Sequence, residues 1–412
     1  MKRVVITGYG VTSPIGNTPE EFWESLHDGK IGLGSITKFD ATETGITIAG
    51  EIKEFPFDKY FQKKDAKRMD LFSLYGIYAA LEAFAMARLE RDSLDAQRFG
   101  VIVGSGIGGL KTIQEQVIRM HDKGMNRVSP LFVPMSISNM AAGSIALRLG
   151  AKGICSSITT ACASATNAIG EAFRNIKFGY SDVIIAGGAE ASICPIGISG
   201  FAALTALSRE TDPTRASIPF DKERNGFVMG EGAGVLVLES YDHAKRRGAK
   251  ILGEVVGYGT TCDAYHMTSP IPDGSGAASA MQLAIEEAGI TSDQVGYVNA
   301  HGTSTQANEK GESKAIETVF RRDNASLVSS TKSLTGHLLG AAGGIEAIAT
   351  LQALENQFVP ATMGTKELDN DMHINIVIEK GVDHSMKYAI SNSFGFGGHN
   401  AVIALKKWSE EE

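Results

Sequence analysis

Cysteine is scarce: the 412 residues hold only Cys155, Cys162, Cys194 and Cys262, with no CxxC pair and no Cys/His cluster at metal-ligand spacing. That argues against a disulfide framework or a zinc site, and burial as small apolar side chains is the expectation for Cys155, Cys194 and Cys262. Long apolar runs are missing too, since nothing approaches the roughly 20 residues that cross a bilayer. The opening MKRVVITGYGVTSPIG carries an apolar run broken by Gly8, Gly10 and Pro14, and reads as a buried strand and turn rather than a signal peptide. The expectation is a cytoplasmic protein with no membrane insertion. Basic charge is in deficit, 39 Lys and Arg against 47 Asp and Glu for a net −8, which argues against nucleic-acid binding. One basic island breaks the pattern. KKDAKRMD brings Lys63, Lys64, Lys67 and Arg68 together at helical spacing, either as a solvated helix face or as a docking patch for an acidic partner.

What is present is ample apolar material, 43% of residues with 21% charged, enough for one wide domain or two fused ones. Short β-branched runs (RVVITG, FGVIVG, VIIAGG, GVLVLES, ILGEVVGYG, VGYVNAHG, LVSST, INIVI, YAISNSFGFGGHNAVIALKKW) alternate with helical patterns, an α/β signature. The second half echoes the first. CSSITTACASATNAIGEAFRNI and LVSSTKSLTGHLLGAAGGIEAIATLQAL both run strand, polar turn, small-residue helix, and NGFVMGEGAGVLVLES and NSFGFGGHNAVIALKKW both lead from a glycine turn into an apolar strand. Two α/β halves are expected, residues 1–250 and 251–412. Gly340, Gly343 and Gly344 each cost a helix about 1 kcal/mol against Ala, which implies backbone packed too closely for side chains.

The chemistry gathers in four stretches. In SITTACASATNA, Cys162 stands where strand gives way to a helix marked by Ala165, Ile169, Ala172, Phe173 and Ile176. A thiol at a helix N-terminus feels the positive end of the macrodipole, which favours thiolate and makes Cys162 a candidate nucleophile beside a structural alternative. NAHGTST places His301 at a strand end before Thr303 and Thr305, whose hydroxyls suit a long polar substrate arm. STKSLTGH sets His337 five residues after Lys332. His27, His121, His243, His373 and His384 read as structural or surface residues, and His266 and His399 stay open. SNSFGFGGHN puts Phe394 and Phe396 between glycines, either as a glycine hairpin or as a loop whose amides complete an oxyanion hole with that of Cys162. A rival lies in GVIVGSGIGGLKTIQEQ, where Gly104, Gly106 and Gly109 spell GxGxxG. The following helix is not succeeded by a strand ending in an acid, so dinucleotide binding is weakly signalled, and Ile107 reads instead as a pocket residue.

Taken in order, TTACASA, NAHGTST, STKSLTGHLLGAAG and SNSFGFGGHN resemble the β-ketoacyl-[acyl-carrier-protein] synthases over essentially the whole chain, specifically the elongating branch and most of all the type II enzymes of Gram-positive bacteria. The resemblance implies a thiolase-like fold, duplicated α/β halves in five α-β-α-β-α layers, a homodimer, an acyl carrier protein as partner, and no cofactor or catalytic metal. It implies Cys162 as acyl acceptor, His301 and His337 as the pair on the malonyl thioester, and Lys332 and Glu346 as residues that set histidine orientation and local charge. Phe396 matches an oxyanion amide and acyl-pocket gate, Phe394 an apolar neighbour of the malonyl carboxylate, and Thr303 and Thr305 pantetheine contacts. Ile107 and Phe201 match tunnel walls, Phe132 of a second copy its far end, and Asn299, Glu346, Ser391 and Asn392 a monovalent-cation site found in some relatives. Thiolases would call for a second catalytic Cys and initiating synthases for Asn in place of one His. The alternatives are a synthase that also elongates cis-unsaturated chains, a polyketide ketosynthase, and a non-catalytic chain-length or carrier-binding subunit, the last disfavoured by Cys162. Gln306 stands where the family usually has Pro, and NEK where it has a Gly-Asp segment, a departure confined to that loop.

Overall fold

The computed structural model describes residues 1–320 and 326–410. Ten strands join in one sheet made of two sets of five. The first set is β1 (Val4–Thr12), β2 (Phe99–Gly104), β3 (Cys155–Ser156), β4 (Val183–Glu190) and β5 (Gly232–Ser240); the second is β6 (Gly253–Cys262), β7 (Val295–Asn299), β8 (Leu327–Ser329), β9 (Tyr388–Gly395) and β10 (His399–Lys407). The sets repeat one order, β3-β2-β4-β5-β1 and β8-β7-β9-β10-β6. Their polarity repeats as well: β2 is parallel to β3 and β4 as β7 is to β8 and β9, while β5 and β10 run antiparallel to both neighbours. The sets meet where β1 pairs antiparallel with β6, Val4 opposite Val255 and Ile6 opposite Gly253. β1, β2, β4 and β5 are buried along their whole length, which is why they read as continuous apolar runs rather than alternating ones.

The helices complete five layers. They are α1 (Leu71–Met86), α2 (Met140–Leu149), α3 (Ser164–Lys177), α4 (Ser275–Glu287), α5 (Gln306–Val319) and α6 (Ala342–Asn356). α3 and α6 touch each other and strands of both sets, so they form the middle layer; α1 and α2 cover the outer face of the first set, and α4, backed by α5, that of the second. α6 is buried from Ala342 to Leu354. Its glycines are required by that packing: a Cβ at Gly343 would run into Thr166 of α3, and one at Gly344 into the carbonyl of Gly234 on β5. Where helices cross this closely, a side chain would push the middle layer apart.

Four expectations need correction. Lys63, Lys64, Lys67 and Arg68 are exposed but lie in turns rather than on a helix. Asp65 accepts the Gln62 N–H at 2.7 Å and so closes a local turn, and Asp70 then caps the start of α1 through the Phe72 N–H at 3.3 Å; short acidic side chains compete with helix in this way. INIVI is not a strand, because Ile376 and Ile378 make only isolated bridges to Val328 and Thr362. Cys194 is buried as expected, but Cys155 and Cys262 are exposed. Cys155 sits on the outermost strand of its set, and Cys262 ends β6 at the surface, its thiol 3.6 Å from the Gly397 carbonyl.

Candidate active site

Cys162 is carried by a one-turn helix, Ala161–Ala163, that leads into α3. The turn is tight: Ala161 has φ of +50°, and Ser164 Oγ accepts the Thr160 N–H at 2.9 Å while donating to the Ala161 carbonyl at 2.6 Å. Gly395 at the end of β9 lies against it, so that a Cβ there would stand 2.7 Å from the Thr160 carbonyl and 3.0 Å from the Cys162 nitrogen. Gly395→Ala is therefore expected to displace the Cys162 turn and lower the rate at which its thiol reacts with a thiol-directed reagent about tenfold, the equivalent of about 1.4 kcal/mol, with no comparable change in melting temperature. An unchanged rate would show that the turn yields freely.

The thiol itself departs from the macrodipole expectation. Burial pushes it up to about 12, against the opposing pull of the Lys332 ammonium and the Phe396 N–H, and with a further upward push from Glu190 and Glu346. Desolvation outweighs a helix-terminal effect of about 0.3–1 kcal/mol, so the resting sulfur is a neutral thiol. The Phe396 backbone pulls the thiol down against that burial, which places its amide near the sulfur.

The two histidines arrive from the second half. His301 follows β7, and its loop is held from beneath by α5: Glu312 accepts the N–H of His301 at 2.7 Å and of Gly302 at 2.8 Å, and Glu309 accepts that of Ser304 at 3.1 Å. Arg224, fully buried, pairs with Glu309 at 3.0 Å and donates to the Thr305 carbonyl at 3.1 Å. His337 is fixed by its N–H to the Val228 carbonyl at 2.7 Å. The imidazoles stand edge to face, 5.3 Å between centroids and 86° between planes. Behind them Lys332 forms a buried ion pair with Glu346 and lies 3.5 Å from His301 Nδ1. Burial and the adjacent Lys332 charge hold both histidines well below their usual range, so both are neutral at pH 7. Because an ammonium only donates, His301 Nδ1 faces Lys332 as an acceptor and its proton belongs on Nε2.

These parts open on one cleft of about 380 Å³, whose walls include Cys162, Phe201, His301, Thr303, Thr305, His337, Phe394 and Phe396. Phe394 is 5.6 Å from the His301 ring and Phe201 is 6.4 Å from that of Phe396. Ile107 is set back, packed with Phe201, Phe227 and Leu339 in an apolar cluster beside the cleft. Phe132, on the short helix Phe132–Ser136, is half-buried and does not line its own chain's cleft. The GxGxxG loop has no amides to spare for a phosphate at Gly106 and Ile107, since both donate to Glu190. Gln306, where the resemblance led one to expect Pro, donates to the Arg224 carbonyl at 2.7 Å, and Asn308 bridges Glu309 at 3.0 Å and Glu312 at 3.2 Å. The altered segment is thus tied into the loop that bears His301. Glu190, Glu309, Glu312 and Arg224 escaped the sequence reading, because each signals its role only through partners distant in sequence or through backbone amides, which leave no motif.

Next to Lys332 lies a set of buried polar atoms with no hydrogen-bond partner among the described residues: both amide atoms of Asn299, Glu346 Oε2, Ser391 Oγ and Asn392 Oδ1. Such atoms cost free energy unless something meets them.

Residues 1–244 match the family described as Beta-ketoacyl synthase, N-terminal domain, and residues 252–366 the Beta-ketoacyl synthase, C-terminal domain. The chain is 48% identical over 409 residues to the 3-oxoacyl-[acyl-carrier-protein] synthase 2 of Synechocystis sp., covering 99% of this chain and 98% of that protein. It is also 48% identical to the proteins of the same name from Vibrio harveyi (99% of each chain) and Staphylococcus aureus (99% of each), so identity does not favour Gram-positive relatives among these. Among solved structures it is similar to the ishigamide ketosynthase/chain length factor, with a TM-score of 0.93 at 34% identity, covering 99% of this chain and 100% of that one. A type II polyketide ketosynthase in complex with its acyl-carrier protein gives 0.92 at 34%, with the same coverage.

Proposed function

The chain belongs to the β-ketoacyl synthase family, and from that premise we propose that it lengthens carrier-bound fatty acyl chains by two carbons, as a 3-oxoacyl-[acyl-carrier-protein] synthase of the type II kind. The observation that carries this reading is the meeting of Cys162 with two neutral histidines, His301 and His337, on one cleft. In the first half-reaction Cys162 Sγ attacks the acyl thioester carbonyl, and the carrier's pantetheine sulfur leaves with the thiol proton. The Phe396 and Cys162 amides hold the oxyanion. In the second, malonyl-carrier loses CO2 and the negative charge moves to its thioester oxygen. Neutral imidazoles suit this step, because they donate N–H bonds to the developing enolate without adding a proton to it. Phe394 gives the departing carboxylate an apolar neighbour. The enolate carbon then attacks the acyl-Cys162 carbonyl and expels the sulfur as thiolate, which takes a proton from solvent.

Thr303 and Thr305 line the approach and bond each other at 3.0 Å, which suits contacts to a pantetheine arm. Lys332 and Glu346 keep His301 in the donating tautomer. The unpartnered oxygens of Asn299, Glu346, Ser391 and Asn392 fit a monovalent cation, whose charge would satisfy them and brace the Lys332 site. Ile107 and Phe201 are assigned to the acyl pocket. A homodimer, in which Phe132 of a second copy approaches that pocket, is supported by the open edge of β3 and by exposed Val133, Ile137 and Ile154. Among the described residues no helix is long and apolar enough to cross a membrane, which is compatible with the cytoplasm. A polyketide ketosynthase is the second reading, favoured by the structural neighbours; 48% identity to a 3-oxoacyl-[acyl-carrier-protein] synthase 2 against 34% to those neighbours weighs for the first.

The direct test is to supply acyl-carrier and malonyl-carrier and look for a 3-oxoacyl product two carbons longer, with one CO2 released. Absence of that product with any fatty acyl chain would sink the reading. Lys63, Lys64, Lys67 and Arg68 are assigned to carrier docking as an exposed basic island on an acidic chain. Charge reversal at Lys64 and Lys67 is expected to raise KM for carrier-linked substrate about tenfold, with added salt weakening the wild type. Free pantetheine thioesters should be unaffected, and an equal loss with both substrate forms would remove the assignment.

A further inference from the structure

Glu190, the last residue of β4, is fully buried, yet no step above uses it. Its carboxylate accepts hydrogen bonds from Gly106 N–H at 2.7 Å, Ile107 N–H at 3.3 Å, Ser105 Oγ at 3.2 Å, Ser192 Oγ at 3.4 Å and Gly340 N–H at 3.0 Å. These donors come from both halves. Ser105 to Ile107 follow β2, whereas Gly340 belongs to the one-turn helix Leu339–Ala341 that precedes α6. The approach is close at both glycines: a Cβ at Gly106 would lie 2.8 Å from Glu190 Oε2, and one at Gly340 would lie 2.7 Å from the same oxygen and 2.1 Å from the Gly106 nitrogen, a backbone contact that demands glycine at 340. The Cβ at Gly106 would also be 3.6 Å from the Ala161 carbonyl, in the turn that carries Cys162.

No cation pairs with Glu190 at ion-pair distance among the described residues. A buried carboxylate without a counter-ion is expensive, and burial pushes this one up to about 7 despite its donors. A carboxylate can, however, do what a neutral amide cannot: accept on both oxygens from several amides at once. Two of the tied segments bear on the cleft: Leu339 lines it, and Ile107 packs behind with Phe201 and Phe227.

We propose that Glu190 is a positioning residue for acyl-chain recognition, pinning the Ile107 loop of one half to the Leu339–Gly340 turn of the other so that the pocket beside Cys162 keeps a fixed depth. The inference rests on the proposed acylation of Cys162 and on Ile107 as a pocket wall. Glu190→Gln retains the volume but leaves one oxygen to serve donors that now meet two. The measurement is the rate of Cys162 acylation, by intact mass, for six-, ten- and fourteen-carbon acyl-carriers, alongside CO2 release from malonyl-carrier and a thermal melt. Wild-type protein is expected to discriminate by chain length, and Ile107→Phe to lose long chains selectively. In Glu190→Gln the chain-length dependence should flatten by about tenfold between six and fourteen carbons, while CO2 release stays within about twofold. Equal losses at all lengths, a parallel loss of CO2 release, or an unchanged profile would overturn the proposal. Should Glu190→Gln not fold, Ser105→Ala removes one donor, and an unchanged profile there would overturn it equally. Wild-type protein that forms no acyl adduct would instead defeat the underlying reading, which keeps the two failures distinct.

Discussion

Cys162→Ala protein, incubated with an acyl-carrier thioester, keeps its own mass while the wild type gains one acyl group, and condensation falls on the order of 10⁴-fold or more, as when an essential nucleophile is removed. The fold should survive. Cys162 is half-buried among Ala161, Ala163 and Ser164, so loss of one sulfur atom leaves a small gap that opens on the cleft. Decarboxylation of malonyl-carrier should continue in this variant, because the charge it develops is met at His301 and His337. The adduct must be located by peptide mapping, since exposed Cys155 and Cys262 present thiols to any reactive acyl donor. An acyl group found on the Cys162→Ala variant at a comparable rate would place the nucleophile elsewhere.

His301→Ala should reverse that pattern, with acylation of Cys162 nearly intact and CO2 release from labelled malonyl-carrier down by about 10²–10³, the loss that follows removal of one oxyanion donor. Lys332 bears on the direction. Its ammonium faces His301 Nδ1, so the proton available to substrate is on Nε2, and truncation removes that donor while leaving the Lys332–Glu346 pair in place. The pH profile is a second readout. Both imidazoles are held well below their usual range by burial and by Lys332, so they stay neutral as pH falls through 6.5, and wild-type CO2 release should not lose half its rate until more acidic pH. Normal CO2 release with failed acylation would exchange the assigned roles.

Much of this site is legible in the chain because its signals are local. A β-branched run that turns into an Ala-rich helix identifies the Cys162 turn without any partner, and the glycines of LLGAAGG announce a helix packed backbone to backbone, which Gly343 against Thr166 and Gly344 against Gly234 explain. The repeated order of strand, turn and helix is likewise carried by periodicity alone. The basic island misled because helical spacing on one face is also compatible with consecutive turns, and Asp65 and Asp70 decide between them through hydrogen bonds to backbone amides. The GxGxxG loop did not mislead: no strand ending in an acid follows its helix, and two of its amides are taken by Glu190.

By itself the sequence determined the α/β class, the duplication, and which residues are the candidate nucleophile and histidine pair, since residue type and short-range pattern suffice for these. Only the tertiary structure decided the protonation of that machinery and the means of holding it. The macrodipole argues for a thiolate at Cys162 from its place ahead of α3, yet the burial that keeps it a thiol comes from chain that folds over it. Gly106 and Gly340, whose amides bind Glu190, lie 84 and 150 residues away. Desolvation and hydrogen-bond satisfaction are set by whatever packs nearby in space, and a chain that brings two halves together around α3 and α6 fixes both only when it folds.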